Sequence, residues 1–365
     1  MIKGQNKLVN LMIISNKQIG NMPFRKKLGA KKSFRYINNF STGISRIKTG
    51  RKFEYYDQER SQIVDPSILS RIHSLSIPPN WTDVWICSHK NGHIQATGLD
   101  NRQRKQYIYH PNWTSFRDKN KFGKLYLYGK GLPTLKKQLA RDMKGEFLDQ
   151  RFVCALAITI IQYTSIRPGN TIYRTSNGSF GLTTLQNKHV KIINGKLIFS
   201  YRGKRGIKQE KACDKKMICS HILRLLELPG MQLLQYLDHQ NKKRPIHPTH
   251  LNNYLSEIYG GDVTSKTIRT WNACFRALGH LLENYPGNIK VRKKSTNELV
   301  RSVADHLGNT PSIARKSYIC PVILEKFEAG KLDSWMKRNA RANKRDREAA
   351  IQKKLLKLFK GCQDR

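Results

Sequence analysis

A large excess of positive charge limits how this chain can fold. Its 365 residues include 68 Lys and Arg but only 25 Asp and Glu, which gives a formal net charge of +43 at pH 7. Such an excess repels itself in a compact fold unless a polyanion offsets it. Because each phosphate neutralised by Lys or Arg releases a condensed counterion, the composition favours nucleic acid as the partner. An anionic membrane surface is the alternative.

Length and cysteine usage narrow the class of protein further. The length predicts two domains, or one large domain with extensions. The longest apolar run near the middle, FVCALAITII at 152–161, is too short to span a bilayer and predicts a buried helix. The 7 cysteines are scattered without a CxxC pair, which argues against a disulfide framework and against a zinc site. With no secretion signal in the opening residues, we expect a cytoplasmic protein that is not attached to a membrane.

The N-terminal part divides into a basic arm and a small sheet domain. Residues 1–53 contain no acid, which predicts a flexible basic arm, although such a leader is also typical of organelle transit peptides. From Glu54 the composition is mixed, and IPPNWTDVWICSHKNGHIQATG alternates apolar and polar residues around Asn91-Gly92. That pattern indicates a hairpin, so we predict a β-rich domain at 54–118.

One strand of this domain carries side chains suited to a nucleic-acid groove. In RKQYIYH, Gln106 and Tyr107 lie among Arg and Lys. Cations bind phosphates and Gln can read base edges, so this strand is a candidate DNA-binding surface. An ordinary solvated strand is the alternative.

The remainder of the chain predicts a larger, mainly helical domain at 119–325. Apolar residues recur every three or four positions after LYLYGKGLPT, and Pro168-Gly169 ends the long helix after Arg167. The segment KHVKIINGKLIFSYRGKRGIKQEKA predicts a three-stranded meander with Lys204 at a tip. Residues 326–365 predict a basic helical extension that is solvated, DNA-facing or flexible. The fold class is therefore α+β.

Chemistry at a DNA phosphodiester without a metal requires three kinds of group. They are a nucleophile, cations that hold the charge of the five-coordinate phosphorus, and an acid for the departing 5′ oxygen. Arginine suits the second role and lysine the third. Since the sequence shows no HExxH, paired-carboxylate or GxxxxGK[ST] pattern, we expect neither a metal nor ATP as cofactor. Tyr318, in NTPSIARKSY, is either a buried ring with a bonded hydroxyl or the nucleophile.

Several blocks of the sequence resemble a known family. SIRPGN, YRGKRG, SKTIRTW and LGNTPSIARKSY resemble, in order, the catalytic blocks of type IB DNA topoisomerases. IPPNWTDVWIC, NGHIQATG and RKQYIYHPNW resemble the N-terminal domain of the bacterial and poxvirus-like branch. The resemblance covers about residues 60–325 and implies a C-shaped clamp that binds double-stranded DNA. We expect this clamp to be a monomer.

The resemblance implies a role for each residue of the catalytic blocks. Tyr318 would be the nucleophile, and Arg167 and Arg269 would hold the nonbridging oxygens. Lys204 would protonate the leaving 5′ oxygen. Asn309 stands where the poxviral enzymes carry a histidine, and it can donate a hydrogen bond to an oxyanion but can supply neither charge nor a proton.

Further positions match residues that contact DNA in the family. They are Lys266, Tyr173, Gln106 and Tyr107. Lys266 would support the same phosphate or relay a proton, one helical turn from Arg269 if that segment is helical. His306 is a candidate substitute for the missing histidine, with a partly buried helix histidine as the alternative interpretation.

The predicted function is relaxation of supercoiled DNA by transient cleavage of one strand through a 3′-phosphotyrosyl intermediate, followed by religation. The predicted location is on DNA, in a nucleoid or a virion. Two alternatives remain open. A tyrosine recombinase shares the chemistry but usually has His-x-x-Arg where this chain has Lys266 and Arg269. A non-catalytic DNA-compacting protein would explain the charge but would not need Tyr318.

Overall fold

The chain forms two compact units, Met1–Ser115 and Phe116–Arg365. The structure is a computed structural model that describes residues 34–37, 42–145, 148–261, 263–284 and 292–363. Residues 1–33 of the predicted basic arm lie outside this description.

The first unit contains a five-stranded antiparallel sheet with strand order β2-β1-β3-β4-β5. Its strands and single helix are β1 Gly43–Thr49, β2 Lys52–Tyr56, α1 Pro66–Ser74, β3 Thr82–Cys87, β4 Ile94–Leu99 and β5 Lys105–Tyr109. Ile72 of α1 packs with Ile44, Val84 and Ile86 of the sheet in a small core. The predicted N-terminal antiparallel sheet, including the hairpin β3–β4, is confirmed.

The basic arm is shorter than predicted, because residues 43–53 belong to this sheet. Strand β1 pairs with both β2 and β3, and Ile44 is buried. The guanidinium of Arg46 is held within this domain, because it donates hydrogen bonds to the carbonyls of Pro78 and Trp81. Main-chain oxygens thus accommodate the charge of Arg46, which composition alone does not reveal.

The second unit is mainly helical, as predicted. Its helices are α2 Pro111–Asp142, which begins in the last residues of the first unit, α3 Gln150–Thr164, α4 Thr171–Asn177, α5 Lys216–Leu226, α6 Pro248–Tyr259, α7 Ser265–Glu283, α8 Arg292–Leu307, α9 Pro311–Ser317, α10 Pro321–Glu328, α11 Asp333–Asn339 and α12 Lys344–Gln363. Its strands are β6 Val190–Ile193, β7 Lys196–Arg202, β8 Lys208–Cys213, β9 Gln235–Leu237 and β10 Lys243–Pro245. The strands β6, β7 and β8 form the predicted antiparallel meander.

Helix α3 lies at the centre of this unit. It carries the apolar run that predicted a buried helix, and Phe152, Leu156 and Ile160 are almost fully buried. The expected long helix is in fact two helices, since α2 ends at Asp142. Helix α3 in turn ends before Pro168, because Ser165 adopts a left-handed backbone with φ of 57°. Arg167 therefore lies on a loop that follows a rigid buried helix.

The C-terminal helix α12 is part of the same core. Ile351, Leu355 and Phe359 recur every four residues and are buried, and the Phe359 ring lies 5.9 Å from that of Trp271 on α7. The prediction of a solvated or flexible extension is wrong for this face, because these apolar positions are spaced among the charges at the period of a helix. In the parts of the chain that the structure describes, no helix is long and apolar enough to cross a membrane.

Candidate active site

Tyr318 directly follows the short helix α9 and is partly buried. The helix begins at Pro311, after Thr310 accepts a hydrogen bond from the Ile313 amide. The Cys274 thiol on α7 donates to the Tyr318 carbonyl at 3.4 Å, which ties the end of α9 to the buried face of α7. The phenol ring faces Arg269, whose guanidinium carbon lies 5.6 Å from the ring centroid.

Arg269 lies on the buried side of α7 with only 2% of its surface exposed. Its Nη2 donates to the Leu307 carbonyl at 3.2 Å. Burial lowers the pKa of Arg269 to about 10, so the side chain stays charged at neutral pH. Its Nε has no hydrogen-bond partner among the described residues. A buried, charged donor without a hydrogen-bond partner indicates a site for an anion.

Arg167 and Asn309 form a pair beside this arginine. Arg167 Nη2 donates to Asn309 Oδ1. Because a guanidinium can only donate, this bond fixes the orientation of the Asn309 amide and leaves Nδ2 as its free donor. Asn309 Nδ2 is buried and has no partner within the described part of the chain. Asn309 Nδ2 and Arg269 Nε are thus two buried donors that an acceptor such as a phosphate oxygen could satisfy.

The surrounding charges act on the phenol of Tyr318. Burial by itself would raise its pKa, but the charges of Arg269, Arg167 and Lys266 outweigh burial and lower the pKa of Tyr318 below its ordinary value. Lys266 lies one helical turn from Arg269 on α7, as the sequence predicted. These cations favour the phenolate, which is the nucleophilic form of a tyrosine.

Close main-chain packing holds the loop that carries Arg167. The Leu182 amide donates to the Arg167 carbonyl at 2.8 Å, and the Thr183 amide donates to the Pro168 carbonyl at 2.6 Å. Gly181 makes this approach possible, because an added Cβ would lie 2.5 Å from Gly169 Cα and 2.7 Å from the Arg167 carbonyl oxygen.

A helix-ending motif positions Asn309. At the end of α8 the Asn309 amide donates to the Ala304 carbonyl at 2.9 Å, and the Gly308 amide donates to the Asp305 carbonyl at 3.1 Å. This pair of bonds is a Schellman motif, which needs a left-handed residue, and Gly308 has φ of 61°. The turn directs the chain from α8 to Asn309 and then into α9.

His306 lies behind the Arg167 loop and hydrogen-bonds to Ser165. Its Nε2 is 3.0 Å from Ser165 Oγ, which also accepts a bond from Asn272. Burial, and then the positive charges of Lys211, Arg276 and Arg269, lower the pKa of His306 to about 4. The imidazole is therefore neutral at pH 7. These contacts match a partly buried helix histidine that supports the loop.

Two predicted residues of the second unit, Lys204 and Tyr173, lie outside the group formed by Tyr318, Arg269, Arg167, Asn309 and Lys266, which we call the Tyr318 cluster. Lys204 is exposed on the turn between β7 and β8, and no hydrogen bond or salt bridge joins it to Tyr318 in the described structure. Tyr173 lies on α4 with 56% of its surface exposed. Gln106 and Tyr107 lie on β5 of the first unit, where Gln106 donates to Asp100 at 2.8 Å and Tyr107 is 43% exposed.

Sequence reasoning missed four residues that support the site. They are Lys121, Gln209, Lys211 and Cys274. Lys121 of α2 donates to the Ser317 carbonyl, directly before Tyr318. Gln209 and Lys211 share one face of β8 with buried Cys213. The sequence carried no signal for them, because the strand reads KQEKAC and does not alternate apolar with polar residues.

Buried Arg269 against the Tyr318 ring, beside donors that have no partner among the described residues, makes a site suited to an anion. Residues 105–345 match the family model described as eukaryotic DNA topoisomerase I, catalytic core. Residues 52–100 match the model described as bacterial DNA topoisomerase IB, N-terminal domain. The chain belongs to the type IB DNA topoisomerases, which confirms the resemblance seen in the sequence.

Curated relatives support the same assignment. The chain is 33% identical to DNA topoisomerase 1B of Acanthamoeba polyphaga mimivirus over 78% of its own length and 88% of the relative's. It is 23% identical to DNA topoisomerase 1B of Vaccinia virus, over 70% of this chain and 80% of that one. A XerH site-specific recombinase bound to its difH substrate matches at 15% identity, covering 54% of this chain and 51% of that chain. Its TM-score of 0.33 is too low to bear on fold or function.

Replacing Gly181 with alanine tests whether the close approach of Gly181 to Gly169 and to the Arg167 carbonyl positions Arg167. We expect Gly181→Ala to slow plasmid relaxation about tenfold to a hundredfold, since small displacements of a site residue cost that much. The control is Gly361→Ala, because an added Cβ at Gly361 meets nothing within 4 Å. Wild-type relaxation by a folded Gly181→Ala protein would contradict the prediction.

The buried His306 makes the fold sensitive to acid. An unfolded chain takes up a proton near the ordinary His pKa of 6.5, whereas folded His306 resists protonation down to about 4. The contribution of neutral His306 to the free energy of unfolding is therefore fully present above pH 6.5 and is lost as the pH falls towards 4. We expect the melting temperature of His306→Gln to fall less than that of the wild type between pH 7 and pH 5.

Exposed His239 provides the control for this measurement. His239→Gln should keep the pH dependence of the wild type. If His306→Gln also keeps it, His306 is not a protonation site that is coupled to folding.

Proposed function

We propose that this topoisomerase relaxes supercoiled DNA by cutting one strand, forming a 3′-phosphotyrosyl bond through Tyr318, and then resealing the strand. The observation that carries the proposal is the placement of buried Arg269 against the Tyr318 ring, beside donors on Arg269 and Asn309 that have no partner in the described structure. A phosphodiester at this position would meet both the nucleophile and the cations.

In the cleavage step, Tyr318 gives up its Oη proton to water, and the phenolate oxygen attacks phosphorus as the bond from phosphorus to the 5′ oxygen breaks. Arg167 and Arg269 bind the nonbridging oxygens, where charge accumulates in the transition state. Asn309 donates a neutral hydrogen bond to the same oxygens and supplies no proton. Lys266 adds positive charge from the same face of α7. Each group is aimed at the phosphate, and only Tyr318 forms a covalent bond to it.

Lys204 supplies the proton that the leaving 5′ oxygen needs. Its place at the tip between β7 and β8 supports this role, because an exposed turn can enter a DNA groove when DNA binds. The residues Arg205 and Gly206 that follow have left-handed backbones, with φ of 65° and 75°, so the tip is a tight turn. A lysine ammonium carries a transferable proton, whereas a guanidinium does not lose its proton in proteins.

Resealing reverses the same chemistry. The free 5′ hydroxyl attacks the phosphotyrosine, returns its proton to Lys204 and releases Tyr318. The covalent bond conserves the energy of the phosphodiester, so the cycle requires neither ATP nor a metal. Between the two steps the duplex swivels and torsion is lost.

The proposed partner is double-stranded DNA, which the protein would bind as a monomer through residues of each unit. Tyr173, Gln106 and Tyr107 are the proposed contacts outside the Tyr318 cluster, and two of them are aromatic residues with exposed rings. Because the net charge of +43 implies many phosphate contacts, affinity should fall steeply as salt rises. The enzyme would act in the cytoplasm, on DNA in a nucleoid or virion.

The test is relaxation of a negatively supercoiled plasmid in EDTA without ATP. We expect the wild type to relax the plasmid and Tyr318→Phe to lose activity by at least about a thousandfold, because the nucleophile is absent. The matched control is Tyr163→Phe, since the Tyr163 ring also lies under a cation, at 5.0 Å from Lys215 Nζ. Equal relaxation by the wild type and Tyr318→Phe would refute the proposal, as would a requirement for metal.

A further inference from the structure

The carboxyl end of α8 is held by two cations from two other elements. Lys211 Nζ of β8 donates to the His306 carbonyl at 2.6 Å and to the Asp305 carbonyl at 3.1 Å. Arg269 of α7 donates to the next carbonyl in the chain, that of Leu307. Three successive carbonyls at the negative end of a helix are thus bound by positive side chains.

The same strand also packs against the turn that leads to Asn309. An added Cβ at Gly308 would lie 1.8 Å from Gln209 Oε1, so the Gln209 side chain fills the space beside this glycine. An added Cβ at Gly203 would lie 2.7 Å from Gln209 Cγ. Gln209 therefore contacts the residue before Lys204 and the residue before Asn309.

We propose that Lys211 is a positioning residue, which holds the carboxyl end of α8 and thereby fixes Asn309 and Arg269 for the phosphate. The inference rests on the proposed function. Asn309 comes two residues after the Leu307 carbonyl that Arg269 binds, so movement of this end of α8 would displace both phosphate ligands together. Lys211 itself does not touch the reacting atoms.

The chemistry around Lys211 agrees with this role. Burial, and then the charges of Arg269 and Arg167, lower the pKa of Lys211 to about 8. An ammonium in this place adds positive charge beside two arginines, and the carbonyls of Asp305 and His306 are the acceptors that offset it. An apolar side chain of similar length, such as methionine, would leave both carbonyls without this donor.

The experiment measures the rate of single-turnover cleavage on a short duplex. We expect Lys211→Met to lower the cleavage rate about tenfold to a hundredfold with little change in DNA affinity. Lys211→Arg, which keeps the charge and the donors, should recover most of the rate. The control is Lys196→Met, at an exposed position at the start of β7, which should cleave as the wild type does.

Two further readouts separate positioning from other roles. A duplex with sulfur in place of the bridging 5′ oxygen needs no acid, because a thiolate leaves without a proton. We expect Lys211→Met to lose the same factor in cleavage rate, relative to the wild type, on both substrates. If the sulfur substrate restored the wild-type rate, Lys211 would be an acid, and the proposal would be overturned. In the Asn309→Ala background, Lys211→Met should cost much less than it does in the wild type. Fully additive losses would also overturn it.

The outcome for Lys211 is distinguishable from that for the proposed function. If Tyr318→Phe is inactive and a folded Lys211→Met protein cleaves at the wild-type rate, only the role of Lys211 is wrong. If Lys211→Met does not fold, Lys211→Gln keeps an amide donor without the charge, and a wild-type rate for that variant would likewise reject the need for a cation. Activity in Tyr318→Phe would remove the function on which the inference rests.

Discussion

The site depends on keeping several cations together without neutralising them. Besides burial, the charges of Arg269 and Arg167 contribute to the lowered pKa of Lys211, and that of Arg167 to the lowered pKa of Arg269. In the described structure these three cations donate hydrogen bonds to main-chain carbonyls and to the Asn309 amide oxygen, and not to carboxylates. Carbonyl oxygens satisfy the donors but leave the net charge in place. The remaining positive potential lowers the pKa of Tyr318 and is available to a phosphate.

This arrangement requires glycine at two positions in the main chain. Gly181 allows one segment to lie against the carbonyl of Arg167, and Gly308 turns the chain at the end of α8 towards Asn309. Neither glycine touches substrate in the proposed mechanism. Gly181 fixes the loop of Arg167 and Gly308 fixes the turn before Asn309, the two residues that we propose bind the phosphate.

Local patterns predicted the elements of the fold better than their packing. Alternation identified the hairpin β3–β4 and the meander, and the apolar run identified α3, because each signal lies within one segment. The sequence motifs also predicted that Arg167, Arg269 and Asn309 would lie near Tyr318. Lys211 was not predicted, since its bond to His306 joins positions 95 residues apart and depends on how β8 packs against α8. Strand β1 and the buried face of α12 were also not predicted, because both lie in segments rich in Lys and Arg.

In the proposed mechanism, the cations around Tyr318 make it the group that joins DNA. The most direct test is to stop the reaction with denaturant, digest the protein and identify by mass spectrometry the residue that carries nucleotide. We expect a 3′-phosphoryl nucleotide on Tyr318 and a free 5′ hydroxyl on the other fragment. An adduct on another residue, a 5′ linkage, or no adduct under conditions where plasmid is relaxed would contradict it.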